Sequence, residues 1–128
     1  MSASFVETVR EEAGTALKRG LPEILQVNVG KLCNQTCSHC HVDAGPNRTE
    51  VMTEETARAC LRLLEEFPSI HTLDITGGAP ELNPQFRMLT REGRARGLRV
   101  IDRCNLTVLL LKEQTDLVDF LAENEVDI

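Results

Sequence analysis

Three short β-prone runs, ILQVNV at 24–29, HTLDIT at 71–76 and LRVID at 98–102, alternate with stretches whose apolar residues recur at helical spacing. No other feature constrains the fold as much, because strand–helix–strand units close onto a parallel sheet through right-handed crossovers. After the first run, Ala57, Cys60, Leu61 and Leu64 fall at i, i+3, i+4 and i+7. They predict an amphipathic helix over 54–66, capped by Thr53 and closed by Pro68. After the second run, Pro84 is expected to open a helix with Phe86, Leu89 and Gly93 inward, and Gly97 to stop it. A further helix is expected over 113–122, and VDI at 126–128 reads as the start of a fourth strand. Ahead of the first strand, Phe5, Val6, Val9, Ala13, Ala16 and Leu17 predict an amphipathic helix within 4–19 that ends at Gly20. The expected class is α/β.

Each unusual loop follows a strand. A cysteine-rich stretch follows the first, Gly77-Gly78-Ala79-Pro80 the second and Arg103-Cys104-Asn105 the third. Loops at the C-terminal ends of parallel strands are where α/β proteins hold ligands, so the three are expected to meet on one face.

The first loop, KLCNQTCSHCH at 31–41, holds Cys33, Cys37, Cys40, His39 and His41. Its chemistry depends on the compartment. The start MSASFVETVREEAG carries acidic residues where a signal peptide needs a basic end, and no window approaches the ~18 apolar residues of a membrane span. The expected setting is cytoplasmic and reducing, where an odd count of 5 cysteines favours metal binding or catalysis over disulfides. In that setting the sequons at Asn34, Asn47 and Asn105 are chance matches. The formal net charge of -6, with no Trp and no Tyr, argues against nucleic-acid partners.

Four chemistries compete for the loop. Cys37-x-x-Cys40-His41 has the haem c spacing, but that attachment belongs to exported proteins and leaves Cys33 without a role. A thiol-redox pair at Cys37 and Cys40 leaves Cys33 surplus as well. Zinc could take the three cysteines with His39 or His41, although no second CxxC pair is present. Three thiolates at C-x3-C-x2-C suit an iron–sulfur cluster better, since thiolates are its standard ligands and one iron stays open.

Taken together, Cys33-Asn-Gln-Thr-Cys37-Ser-His-Cys40 after the first strand and the glycine turn after the second resemble the radical S-adenosylmethionine (radical SAM) enzymes. The resemblance implies a partial (β/α) barrel with parallel strands. About three complete βα units, an N-terminal amphipathic helix in 1–20 and the start of a fourth strand would make it up, with 21–128 the N-terminal part of a longer barrel. It implies that Cys33, Cys37 and Cys40 ligate a 4Fe–4S cluster whose open iron is chelated by S-adenosylmethionine. His39, before the third cysteine, would stand near the adenine, and Gly77, Gly78 and Ala79 would receive the methionine amino group. Asn105 would hold the ribose and Arg103 the carboxylate. The implied reaction is reductive cleavage of the cofactor to a 5′-deoxyadenosyl radical, with a small-molecule substrate and a reductant such as a flavodoxin or ferredoxin. NVGKLCNQTCSHCHVDAGP, DITGGAPELNPQFR and VIDRCNLTVLL are similar to one branch, the arsenosugar-biosynthesis radical SAM proteins, which implies adenosyl transfer to a methylated arsenical.

The remaining candidates have plainer readings. Cys60 lies on the apolar stripe of its helix and is expected in the core. Cys104 is expected either to pack or to touch substrate, and the arginines at 87, 91, 94, 96 and 99 to line a solvated face. His41 and Asp43 are expected to shape the cysteine loop, and His71 shows no partner in the sequence.

Overall fold

The computed structural model describes residues 4–128. Three parallel strands, β1 (Ile24–Asn28), β2 (Thr72–Thr76) and β3 (Arg99–Asp102), form one sheet in the order β1-β2-β3. Beyond β3, Ile101 makes a parallel bridge to Asp127, and the Asp127 carbonyl accepts the Asp102 N–H at 2.8 Å. This is the expected start of a fourth strand. Sequential strand order with a helical segment between neighbours is the layout of a partial (β/α) barrel.

The covering layer is built from α2 (Glu54–Glu66), α3 (Phe86–Ala95) and α4 (Leu117–Glu123). Thr53 caps α2 by accepting the Thr56 N–H at 3.3 Å, and Ala57, Leu61 and Leu64 are buried as their spacing predicts. Phe86, Leu89, Thr90 and Gly93 form the buried side of α3. Gly93 has no room for more, because an added Cβ would stand 3.0 Å from both Leu73 and Val100. Phe86 and Phe120 meet at 6.2 Å between ring centroids, which ties α3 to α4. Arg87 lies 4.7 Å from the Phe120 ring and forks onto Asp116, with both bonds at 2.8 Å. That arginine therefore clamps α3 to the start of α4, where the sequence suggested only a solvated face.

Three boundaries differ from expectation. The N-terminal helix, α1 (Phe5–Ala13), ends at a left-handed Gly14, so Ala16 and Leu17 lie outside it. None of its residues is buried. Asn83 accepts the Gln85 N–H at 2.8 Å and holds Pro84 in a turn, so α3 begins at Phe86. The helix expected over 113–122 begins at Leu117, because 3-10 turns at Leu106–Leu110 and Lys112–Gln114 take up the preceding chain.

Candidate functional site

The sheet places side chains on alternate faces along each strand. Gln26, Asp74 and Ile101 share one rung, and Val27, Ile75 and Asp102 share the next. Val27 and Ile75 are buried in the core, so the first set belongs to the opposite face. At the C-terminal edge of that face opens a cleft of about 650 Å³. Its lining includes Cys33, Cys37 and Cys40 from the first loop, Gly77 and Gly78 from the second, and Arg103 and Asn105 from the third. The three loops therefore meet, as the βα pattern predicts.

Backbone contacts fix the cysteine loop. Lys31 donates to the Glu50 carbonyl at 2.8 Å, Gly45 to Lys31 at 3.0 Å and Cys33 to Gly45 at 3.2 Å. Cys33 is buried, Cys40 half-buried and Cys37 exposed. The Cys40 sulfur accepts the Ala44 N–H at 3.4 Å, and this bond, with those from Val42 and Asp43, holds the thiol below its usual range.

The glycine turn is fitted onto this loop. Gly77 and Gly78 have φ of 103° and 49°, and a Cβ on Gly78 would overlap the Leu32 carbonyl oxygen. A Cβ on Gly77 would strike the Asn28 side chain and the Gly30 carbonyl. Ala79 donates its N–H to Leu32 at 2.9 Å and is buried, outside the lining of the cleft. The glycines thus allow a close approach between two protein segments, and both also line the cleft.

Asn105 binds the same loop from the other side. Its Nδ2 donates to Asn34 Oδ1 at 2.8 Å and to Cys33 Sγ at 3.6 Å, while its Oδ1 accepts the Thr107 N–H at 3.1 Å. Asn34 completes the ring by donating to Thr107 Oγ1 at 2.9 Å. Arg103 lines the cleft, yet its Nε and Nη2 are engaged by Asp74 at 2.9 Å each. That pairing, with the Gln26 amide at 3.1 Å, holds the Asp74 carboxyl below the usual carboxylate range. His39 is exposed and outside the lining, where His41 stands instead.

Asp74, Gln26, Asn34 and Thr107 did not stand out in the sequence. Asp74 and Gln26 carried a readable signal, since a carboxylate or amide in the middle of a short apolar strand needs a buried partner. Asn34 and Thr107 carried none, being ordinary loop residues. His71 finds a neighbour in Thr72 Oγ1 at 2.9 Å, and Cys60 packs against the core, where burial pushes its thiol up.

One tetrahedral zinc ion, with Zn–S bonds near 2.3 Å, holds its ligand atoms roughly 3.5–4 Å apart. The three loop sulfurs do not all lie within 4.8 Å of one another, whereas donor atoms of Glu81, Asp102 and Cys104 do. Among the described residues no helix is long and apolar enough to cross a membrane.

Comparison with known proteins agrees with this geometry. The family described as "Radical SAM superfamily" matches residues 27–128. The chain is 26% identical over 88 residues to a protein named "Probable GTP 3',8-cyclase" from Sulfurisphaera tokodaii. That match takes in 69% of this chain and 28% of the relative's length. Radical SAM superfamily enzymes bind a 4Fe–4S cluster and S-adenosylmethionine.

Proposed function

The chain belongs to the radical SAM superfamily, and from that premise we propose that Cys33, Cys37 and Cys40 hold three irons of a 4Fe–4S cluster and that the adjoining cleft seats S-adenosylmethionine. A single observation carries this reading: the three cysteines, Gly77, Gly78, Arg103 and Asn105 border one cleft of about 650 Å³ at the C-terminal edge of the sheet. When bound, the cluster supplies the electron that cleaves the cofactor to methionine and a 5′-deoxyadenosyl radical.

The protein's own residues bind and orient. Backbone donors at Ala44, Val42 and Asp43 favour the Cys40 thiolate, the form that ligates metal. The Asn105 amide donates toward the Cys33 sulfur and fixes that ligand against β3. Asp74 pins the Arg103 guanidinium beside the cleft, where Nη1 remains available to an anionic group such as the methionine carboxylate. Ala79 supports the glycine turn through Leu32, and the exposed His39 closes over the adenine only if its turn folds inward when ligand binds.

The substrate reading is finer. The likeness of three segments to arsenosugar-biosynthesis proteins supports adenosyl transfer to a methylated arsenical, with a flavodoxin or ferredoxin as reductant in the cytoplasm. The cyclase-named relative makes GTP the competing small-molecule substrate to assay.

Anaerobic reconstitution with iron and sulfide tests the reading. About four irons per chain are expected, with a brown chromophore whose spectrum changes on adding S-adenosylmethionine and 5′-deoxyadenosine formed under reduction. A Cys37→Ala variant that keeps the full chromophore overturns the proposal. One zinc held by the loop cysteines, without iron, supports a non-enzymatic zinc-binding or thiol-redox module instead.

A further inference from the structure

On the helix-covered side of the sheet, Asp102 occupies the rung of Val27 and Ile75, so a carboxylate stands where its neighbours are apolar. Asp102 is 1% exposed, and Glu81, in the 3-10 turn Pro80–Leu82 after β2, is 4% exposed. All four of their carboxylate oxygens are buried without a hydrogen-bond donor. Donor atoms of these two residues and of Cys104 lie within 4.8 Å of one another. Nothing in the cleft chemistry above uses them.

Two ionised carboxylates cannot bond to each other, and burying either without a partner costs several kcal/mol. Burial, with Glu81 alongside, accordingly pushes Asp102 up to about 8. A proton on Asp102 donated to one Glu81 oxygen, and the Cys104 thiol donated to the other, would make two hydrogen bonds and still leave one buried Asp102 oxygen unpaired. A divalent cation engages three donors at once. Asp102 and Cys104 also line a second cleft of about 570 Å³, bordered by Arg103 and Asp127; Glu81 lies outside that lining, so an ion entering there would reach Asp102 and Cys104 first.

We propose that Glu81, Asp102 and Cys104 form a mononuclear divalent-cation site, separate from the cysteine loop, whose mixed oxygen and sulfur donors select a zinc-class ion. Ligand atoms on one such ion stand roughly 3.5 Å apart, which donors already within 4.8 Å of one another can meet by small side-chain shifts. The thiol proton, and any carboxyl proton, passes to solvent as the metal bonds form. The ion joins the turn that follows Gly77 and Gly78 to the exit of β3 that carries Arg103 and Asn105, and so braces two walls of the first cleft.

The test is elemental analysis of the full chain, reconstituted anaerobically with iron and sulfide, exposed to zinc chloride and desalted. One zinc per chain is expected beside the iron. Asp102→Asn, Glu81→Gln and Cys104→Ser each weaken zinc binding at least about ten-fold and leave iron content at the wild-type level. The amides keep the carboxylate shape and remove buried charge, which favours folding of those variants. Cobalt in place of zinc gives a thiolate-to-metal charge-transfer band that Cys104→Ser abolishes. Zinc raises the melting temperature of the wild type and of the Cys33→Ala/Cys37→Ala/Cys40→Ala variant, but not of Asp102→Asn. No bound zinc, with Asp102→Asn merely raising the melting temperature, would mean that protons alone fill the site and overturns the proposal. Zinc lost with Cys37→Ala but kept in Asp102→Asn overturns it too. Zinc sensitive to Asp102→Asn in a chain that takes up no iron upholds this site and overturns the cluster reading alone.

Discussion

Arg103 and Asp74 meet through two parallel hydrogen bonds, Nε to Oδ1 and Nη2 to Oδ2, each 2.9 Å long, across the β2–β3 junction. The Asp74 side chain is only 6% exposed, whereas that of Arg103 is 57% exposed. The carboxylate therefore depends on the arginine more than the reverse. Arg103→Ala leaves Asp74 with the Gln26 amide as its partner and is expected to destabilise the fold, read as a lower urea midpoint. Arg103→Lys recovers little, because an ammonium cannot reproduce the fork. A midpoint unchanged in Arg103→Ala would remove the pair from the account.

The same pair sets an acid limb of stability. Arg103 holds the folded-state pKa of Asp74 below its unfolded value. The stabilisation is therefore complete above about pH 4 and is lost as pH falls through the lower folded value. Unfolding free energy measured between pH 6 and the acid end should decline in the wild type, and Asp74→Asn should flatten that decline. Identical slopes would contradict the linkage.

Asn105 joins the exit of β3 to the first cysteine through Asn34 Oδ1 and Cys33 Sγ. Asn105→Ala should weaken metal retention by the cysteine loop about ten-fold while costing only about 1 kcal/mol of stability. Iron release to a chelator, followed beside thermal unfolding, separates the two effects. A loss of stability with normal iron retention would make Asn105 a structural cap alone.

Gly78 has φ of 49° and no space for a Cβ beside Leu32. Gly78→Ala should destabilise the chain by at least about 2 kcal/mol and perturb the cysteine loop that Leu32 leads into. By contrast Gly97→Ala, at φ of 76° but with open space around it, should cost only about 1 kcal/mol. Equal losses in the two variants would mean that backbone strain, not the contact with Leu32, dominates.

The strands were legible because their runs of β-branched and apolar residues end in glycine, cysteine or asparagine loops. Each was placed within one residue: 24–29 against Ile24–Asn28, 71–76 against Thr72–Thr76, and 98–102 against Arg99–Asp102. Helix ends were less legible wherever a side chain rather than the apolar period decided them. Asn83 delays α3 by capping Gln85, and Asn105 starts the 3-10 turns that displace α4 by accepting from Thr107. At the site, tight local spacing made the three cysteines readable. The partners of Arg103 and Asn105 were not, because Asp74 and Asn34 lie 29 and 71 residues away and meet them only through the sheet. Glu81 and Asp102 escaped notice for the same reason, as acidic residues that look ordinary until both prove buried.

The fit of Gly78 and Ala79 against Leu32 also sets an order of events. Val29 donates to Thr76 at 2.9 Å and Ala79 to Leu32 at 2.9 Å, so the lead-in to the cysteine loop takes its shape from β2 and the turn behind it. A nascent chain that has emerged only as far as Cys40 has its three thiols but not the scaffold that spaces them. On the proposed cluster reading, ordered loading of the loop would follow the pairing of β1 with β2, and a factor that delivers the cluster would meet a docked sheet, not an open peptide.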